Sequence, residues 1–296
     1  MFTLACIPAY NEENNIKKTI RDVAKFVDQI VVYDDGSNDN TVSEAENAGA
    51  YVIKNQNNLG KGAALKELFK FAKLTNVDIM ITIDADGQFV ADEIPKLLKP
   101  ITEQKSDVVV GYRFDDKSEM PKYRKFGNEF LDKITNLAED LGVRDTQSGF
   151  RSYSKKAINA ISFTTDGFGA DSEILISAAK NNLKITEEKV TVIYNTGSKT
   201  STKNPISHTN EVVASVIKQI AITHPLKYLG IPGGILILIG IMFGINLLTV
   251  FNETAYFSIP VTSIMLVTLI IGTMMSLMSV LLYSTSITSK QNRKNN

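Results

Sequence analysis

Two hydrophobic patterns divide this chain. Up to Lys227, short apolar runs alternate with amphipathic stretches, and beyond it charge almost disappears. Residues 2–9 are a compact apolar run closed by Pro8-Ala9-Tyr10-Asn11. Ile16, Ile20, Val23, Ala24 and Val27 then recur at helical spacing, which predicts a strand followed by a helix. The pattern repeats as a strand at 30–33, a helix at 41–48, a strand at 51–54, a helix at 61–74 and a strand at 79–83. Such alternation predicts a parallel, doubly wound α/β sheet with helices on both faces. Ligands in these sheets bind beyond the carboxyl ends of the strands, where the strand order reverses.

The second pattern suits lipid. Residues 228–252 carry no charge, and within 235–251 only Asn246 and Thr249 interrupt the apolar and glycine residues. A second uncharged run follows Glu253, with an apolar body at 259–283. Each run approaches or exceeds the roughly 20 residues of a spanning helix, and the short connection at 252–258 makes them a hairpin. A buried soluble hairpin is the competing reading, but two adjacent uncharged runs of this length are rare in soluble cores. Lys218 and Lys227 precede the first run, Lys290, Arg293 and Lys294 follow the second, and the connecting loop has no Lys or Arg. That bias predicts both termini and the soluble domain on the cytoplasmic side. Ahead of the hairpin, residues 206–222 place Val212, Val213, Val216, Ile217, Ile220 and Ala221 at helical spacing. This predicts an amphipathic helix, lying along the headgroups or packed on the soluble domain. The expected organisation is a soluble domain at 1–204, an interfacial helix at 205–227, a transmembrane hairpin at 228–289 (spans near 229–251 and 259–283) and a basic tail at 290–296.

Composition narrows the chemistry. The 32 basic and 32 acidic side chains cancel, so no global field draws the chain to nucleic acid, and any anion site must be local. The single cysteine, Cys6, cannot form an internal disulfide and reads as a small buried hydrophobe in the first strand. The first apolar run has no basic leader, so it does not read as a secretory signal. His208 and His224 match no zinc spacing.

Polar residues cluster at the predicted strand ends. Pro8, Tyr10 and Glu12 close the first, Asp34-Asp35-Gly36-Ser37 the second, and Asp84-Ala85-Asp86-Gly87-Gln88 the strand at 79–83. Acidic turns are common solvated caps, but three at successive strand ends point to a site. Asp84 and Asp86, two apart in an extended strand end, would share one side. Asp86 and the amide oxygen of Gln88 can supply oxygen ligands to Mg2+ or Mn2+, which completes its shell with phosphate oxygens and water. Asn58-Leu59-Gly60-Lys61-Gly62 opens a predicted helix, so its backbone N–H groups and Lys61 can face a phosphate, or it is an ordinary helix start.

These segments, in this order, resemble glycosyltransferase family 2, and within it the dolichyl-phosphate mannose synthase branch. Further matches are Gly111-Tyr112-Arg113, Arg124-Lys125-Phe126-Gly127-Asn128, Asp145-Thr146-Gln147-Ser148-Gly149-Phe150-Arg151 and Gly197-Ser198-Lys199-Thr200-Ser201. The resemblance implies a GT-A fold and inverting transfer of a sugar from a nucleotide sugar to a polyprenyl (dolichyl) phosphate. It implies GDP-mannose as donor, with UDP-glucose and UDP-N-acetylglucosamine as alternatives. Pro8, Tyr10, Glu12, Asp35, Lys61, Asp84, Asp86 and Gln88 would bind the donor, with Asp86 and Gln88 at the metal. Arg113, Arg124, Arg151 and Lys199 would address phosphates, and Asp86, Arg113 and Arg124 are the catalytic candidates. Asp171 and Glu173, opening a predicted helix at 171–180, would orient acceptor or sugar, or merely favour the helix start. One rival is a transferase that extends a polysaccharide or a lipid-linked glycan, which in this family usually carries Q-x-x-R-W. This chain has Gln147-Ser148-Gly149-Phe150-Arg151 and no tryptophan. A second rival, an inactive nucleotide-sugar-binding scaffold, would show damage at the metal or phosphate positions, which are intact.

Overall fold

The computed structural model describes residues 1–113, 142–167, 169–193 and 225–294, with side chains through 285. The chain forms two compact units, Met1–Val216 and Ile217–Asn296.

In the first unit, β1 (Thr3–Ala9), α1 (Ile16–Val23), β2 (Gln29–Asp34), α2 (Thr41–Asn47), β3 (Tyr51–Lys54), α3 (Lys61–Leu74) and β4 (Ile79–Thr82) alternate as the hydrophobic pattern predicts. After a single 3-10 turn come α4 (Ile94–Thr102), β5 (Val108–Tyr112), β6 (Arg151–Ser154), α5 (Lys155–Ala160), α6 (Ala170–Lys180) and β7 (Ile185–Lys189). The sheet order is β3-β2-β1-β4-β6-β5-β7. Neighbouring side chains on a strand point to opposite faces, so each strand feeds two cores. Leu4, Cys6, Val31 and Met80 pack with Leu65, Leu68 and Phe69 of α3 and Ile174 and Leu175 of α6. Ala5, Ile7, Val32, Ile79 and Ile81 pack with Ile16, Ile20 and Val23 of α1 and Ile94 and Leu97 of α4.

The expectation of a wholly parallel sheet is corrected at one strand. β6 runs antiparallel to both β4 and β5, with Ile79 opposite Ser154 and Val110 opposite Arg151. The cause is where the chain enters. Gly149, two residues before β6, lies against Asp84 beyond the carboxyl end of β4, so β6 starts from that edge and must run backwards. The reversal of strand order falls between β1 and β4, because β2 and β3 lie on one side of β1 and β4 on the other.

The second unit contains α7 (Ile231–Thr254), preceded by a π-helical turn at Leu226–Gly230, and α8 (Ile259–Lys294). Ala255, in the left-handed region at φ 53°, ends α7 by donating its N–H to the Phe251 carbonyl. Mean hydropathy reaches 2.4 and 2.3 over the two apolar stretches, and only 11% of each is buried, which is unlike a soluble core helix. Both are long and apolar enough to cross a membrane. The helices meet along small residues. A Cβ on Gly233 would lie 2.9 Å from the Gly272 carbonyl oxygen, and one on Gly272 would lie 2.7 Å from that of Gly233. Close backbone approach of this kind is how helices associate in lipid, where burial of apolar surface no longer drives them together. The second expected span, 259–283, is only part of the longer α8. The amphipathic segment at 206–222 lies outside the described residues.

Candidate functional site

Three loops at the carboxyl edge of the sheet are tied to one another. After β1, Asn11 adopts φ 55° and donates its N–H to Ser37 Oγ (2.8 Å), while Asn38 N–H donates back to Asn11 Oδ1 (2.9 Å). Glu12 N–H donates to Thr41 Oγ1 (2.7 Å), so the turn holding Pro8, Tyr10 and Glu12 is fixed to the start of α2. Glu12 accepts from Asn15 Nδ2 (3.0 Å); burial pushes its carboxyl up, opposed by that bond and reinforced by Asp84 and Asp39.

The second loop turns on two adjacent aspartates. Asp34 is fully buried and accepts from Ser37 N–H, and its Oδ1 has no hydrogen-bond partner among the described residues. Asp35, 4% exposed, accepts the N–H groups of Leu59 (3.0 Å) and Gly60 (2.7 Å). Asp35 thus fixes the loop that delivers Lys61 to the site. Glycines make that approach possible. A Cβ on Gly36 (φ 76°) would lie 2.8 Å from the Asn57 carbonyl carbon, and one on Gly62 would lie 2.3 Å from the Thr165 carbonyl oxygen.

The third loop carries Asp84, Asp86 and Gln88. It is a tight turn through Ala85 and Asp86 with Gly87 at φ 70°, not the extended strand end expected from the D-x-D spacing. The contact between Gln88 and Asp86 is through the Gln88 main-chain N–H, which donates to Asp86 Oδ1 (3.0 Å). The Asp86 carboxyl is pushed up to about 7, first by burial and then by Asp84, with Glu12 adding and Lys61 and the Gln88 N–H opposing.

Lys61 joins this turn to α6. Its Nζ lies 2.9 Å from Asp84 Oδ1 and 3.2 Å from Asp171 Oδ2. Burial alone would favour a neutral amine, but Asp171 and Asp84 outweigh it and hold the ammonium charged. Asp171, noted beforehand only as a candidate at the helix start, is therefore next to the acidic turn. The Glu173 carboxylate accepts the N–H groups of Thr164 (3.0 Å) and Thr165 (2.9 Å), fixing the loop that packs on Gly60 and Gly62.

Residues 145–151 back the site. Asp145 is fully buried and binds Arg113 in bidentate fashion, accepting from Nε at 2.7 Å and from the second guanidinium nitrogen at 2.8 Å. Truncating one partner of a buried pair like this costs roughly 3–5 kcal/mol. Gln147 Nε2 donates to Ser172 Oγ (2.6 Å), and Gly149 leaves the space that the Asp84 carboxylate occupies.

The expectation that Arg151 binds phosphate is corrected. It is fully buried in the sheet and donates to the main-chain carbonyls of Asp171 and Thr146, both at 2.8 Å. Its NH2 lies 3.9 Å from Asp171 Oδ1, so it serves Asp171 as an internal counter-charge. Asp145 and Asp171 are the site residues that sequence spacing did not single out as central. Their partners, Arg113 and Lys61, lie far from them in sequence. Arg124 and Lys199 lie outside the described residues.

The donor chemistry of the turn fits a hard divalent cation. Glu12, Asp84 and Asp86 gather carboxyl oxygens at the turn, with the Asp86 carboxyl raised first by burial and then by Asp84 and Glu12, and Lys61 opposing. Among the described residues no three-ligand His, Cys, Asp or Glu group is present. Mg2+ or Mn2+ needs only one or two protein carboxylates and completes its shell from substrate phosphates.

Residues 5–162 match glycosyl transferase family 2. The chain belongs to this family. Among curated relatives of this glycosyltransferase, a UDP-N-acetylglucosamine--dolichyl-phosphate N-acetylglucosaminyltransferase of Methanococcus voltae is 36% identical over 211 residues, 64% of this chain and 84% of the relative. A dolichyl-phosphate hexose transferase of Haloferax volcanii is 30% identical over 181 residues, 60% of this chain and 77% of the relative. Such relatives place the chain in the polyprenyl-phosphate branch of the family. The solved structure of glucosyl-3-phosphoglycerate synthase from Mycobacterium tuberculosis with Mn2+ and uridine-diphosphate-glucose aligns with a TM-score of 0.60 at 22% identity, covering 74% of this chain and 79% of that one. At that identity the likeness is one of fold, and the fold of the first unit is GT-A.

Proposed function

We propose that this glycosyltransferase moves a sugar from a nucleoside-diphosphate sugar to the phosphate of a polyprenyl (dolichyl) phosphate at the cytoplasmic face of a membrane. The observation that carries the reading is the meeting of the acidic turn at 84–88 with Lys61 where the strand order reverses, in a chain that also has two apolar helices of spanning length. The names of the relatives support the acceptor. The basic residues flanking the hairpin support the cytoplasmic face. Residues 1–204 are the catalytic domain in this reading, and residues 228–289 hold it beside its lipid.

Pro8, Tyr10, Glu12 and Asp35 border the place for the nucleoside, and Asp86, with Asp84 and Gln88, holds the cation. When bound, Mg2+ or Mn2+ would supply positive charge that offsets the charge developing on the departing nucleoside diphosphate. Lys61 stands beside that diphosphate, and Arg113, fixed in direction by Asp145, addresses a phosphate of the acceptor. An oxygen of the acceptor phosphate attacks the anomeric carbon as the bond to the nucleoside diphosphate breaks. That oxygen is already ionised at neutral pH, so the step requires no strong general base. Among donors, UDP-N-acetylglucosamine is favoured over GDP-mannose, because it is the donor named for the Methanococcus voltae relative.

The test is transfer of radiolabelled sugar into the organic phase by the detergent-solubilised chain, with dolichyl phosphate, Mn2+ or Mg2+, and the three donors in parallel. Label in the lipid phase with one donor supports the reading and names the sugar. Binding of labelled nucleotide with no lipid product from any donor overturns the acceptor.

A further inference from the structure

Four charged groups of alternating sign run from the core to the acidic turn: Arg151, Asp171, Lys61 and Asp84. The first is fully buried and the last is about a quarter exposed along its side chain. Between them, the Asp171 and Lys61 side chains are 6% and 17% exposed. The Lys61 ammonium divides its attraction between two carboxylates, at 2.9 Å from Asp84 and 3.2 Å from Asp171. Asp171 is held in place by Ala170–Lys180, the helix it opens, and by Arg151, which bonds its main-chain carbonyl. Lys61 is held at the start of α3 by the Asp35 bonds to Leu59 and Gly60.

From this geometry we infer that Asp171 is a positioning residue for the metal-binding turn: by sharing the Lys61 ammonium it keeps Asp84 from being neutralised, so that Asp84 and Asp86 stay able to take a divalent cation. This rests on the proposal that the turn binds Mg2+ or Mn2+. An ammonium paired with one carboxylate alone is a stronger competitor for a cation at that carboxylate than one shared between two. Such a contact lies well inside the Debye length and is little screened when partly buried. The inference gives Asp171 a role that requires no contact with substrate. It also explains why a fully buried arginine stands behind Asp171: it offsets a carboxylate that would otherwise be desolvated beside one cation.

The test is direct measurement of Mn2+ binding to the full chain in detergent, read from the electron paramagnetic resonance signal of free Mn2+ at a UDP concentration that saturates parent and variants alike. Mn2+ with UDP alone is the blank. In Asp171→Asn the Mn2+ dissociation constant should rise about tenfold, the size expected when one partly buried charge contact is redistributed. In Lys61→Gln it should fall, and in the Asp171→Asn/Lys61→Gln double variant the Asp171 effect should vanish, because nothing remains to be shared. An Asp171→Asn variant that binds Mn2+ like the parent overturns the inference, even if its transfer rate falls. So does an Asp171 effect that persists undiminished in the double variant. If Asp171→Asn does not fold, Lys61→Gln alone decides, since unchanged or weakened Mn2+ binding in it sinks the competition. A parent chain with no Mn2+ uptake above the blank overturns the metal reading itself, and is told apart from the other failures by that result.

Discussion

The sharpest test of the site's geometry uses a residue with no chemistry of its own. A methyl group added at Gly149 would lie 2.3 Å from Asp84 Oδ2 and 2.5 Å from Oδ1, where ordinary contact begins near 3.4 Å. Gly149→Ala therefore forces the Asp84 carboxylate to retreat by about 1 Å, a displacement that can cost on the order of 100-fold in rate when it misplaces a reacting or ligating group. That factor is about 2.7 kcal/mol of transition-state stabilisation. The fold should survive. Gly149 is not among the positive-φ residues, the obstacle is the end of a side chain, and Asp84 has solvent to move into. The retreat also displaces Asp84 from its place in the acidic turn, so metal affinity should weaken along with the rate. Gly62→Ala is the contrasting control, because its methyl would meet three backbone atoms at 165–167, the nearest at 2.3 Å, and the turn of α3 must open. It should lower stability by about 3 kcal/mol, at the upper end for overpacking. The assay is kcat/KM for sugar transfer together with a thermal melt of each variant. A Gly149→Ala enzyme within about threefold of the parent, at an unchanged melting temperature, would refute the placement of Asp84 in the working site.

Three further outcomes are expected. Asp86→Ala should lower turnover on the order of 100-fold or more, by loss of a preorganised charge group, and near-normal turnover removes its assigned role. Glu173→Gln should lower the melting temperature at neutral pH. Burial alone would raise the Glu173 carboxyl, but hydrogen bonds from Thr165 and Thr164 outweigh it and hold the group below its ordinary 4.5. A depressed carboxyl stabilises above its unfolded pKa and loses that contribution as pH falls through the folded value, so the gap between parent and variant should close below about pH 4.5. A gap that stays constant into acid would place the effect elsewhere. In the hairpin, Gly272→Leu should separate α7 from α8, since a Cβ there already meets the Gly233 carbonyl oxygen at 2.7 Å and Ile237 N at 2.9 Å. Membrane insertion should be retained while the detergent-solubilised protein melts earlier, and an unchanged melt argues against this packing.

Much of the fold was legible because it depends on local order. The strand at 51–54 and the helix at 61–74 fall where apolar spacing put them, and the acidic turns stand at strand ends as the α/β rule requires. The antiparallel β6 was not legible, because alternation assumes a helix between successive strands and says nothing about the edge from which a strand is entered. Arg151 was misread for a related reason. Its motif is shared with a phosphate-binding family, but whether an arginine in a strand faces solvent or the core depends on its sheet neighbours, here Thr82 and Val110.

The same distinction explains how the site is assembled. Residues that meet substrate chemistry in the proposed reaction are announced by short motifs, since each sits at the end of a strand and needs only its own turn. The residues that orient them are distant in sequence: Asp145 for Arg113, Asp171 for Lys61, Gly149 for Asp84. Two of these three lie within residues 145–151, which also contact α6 through Gln147 and Arg151. A single buried segment thus fixes Arg113 and Asp84 together and reaches the helix that carries Asp171. Its burial leaves little room for rotamer change, so a shift at one of its residues is passed to the others. Changes within 145–151 should therefore combine non-additively with changes at Arg113 and Lys61. A double-mutant cycle between Gln147→Ala and Lys61→Gln, read in kcat/KM, checks this; a coupling below about 0.5 kcal/mol, the level expected of independent sites, would mean that the segment packs beside the site without organising it.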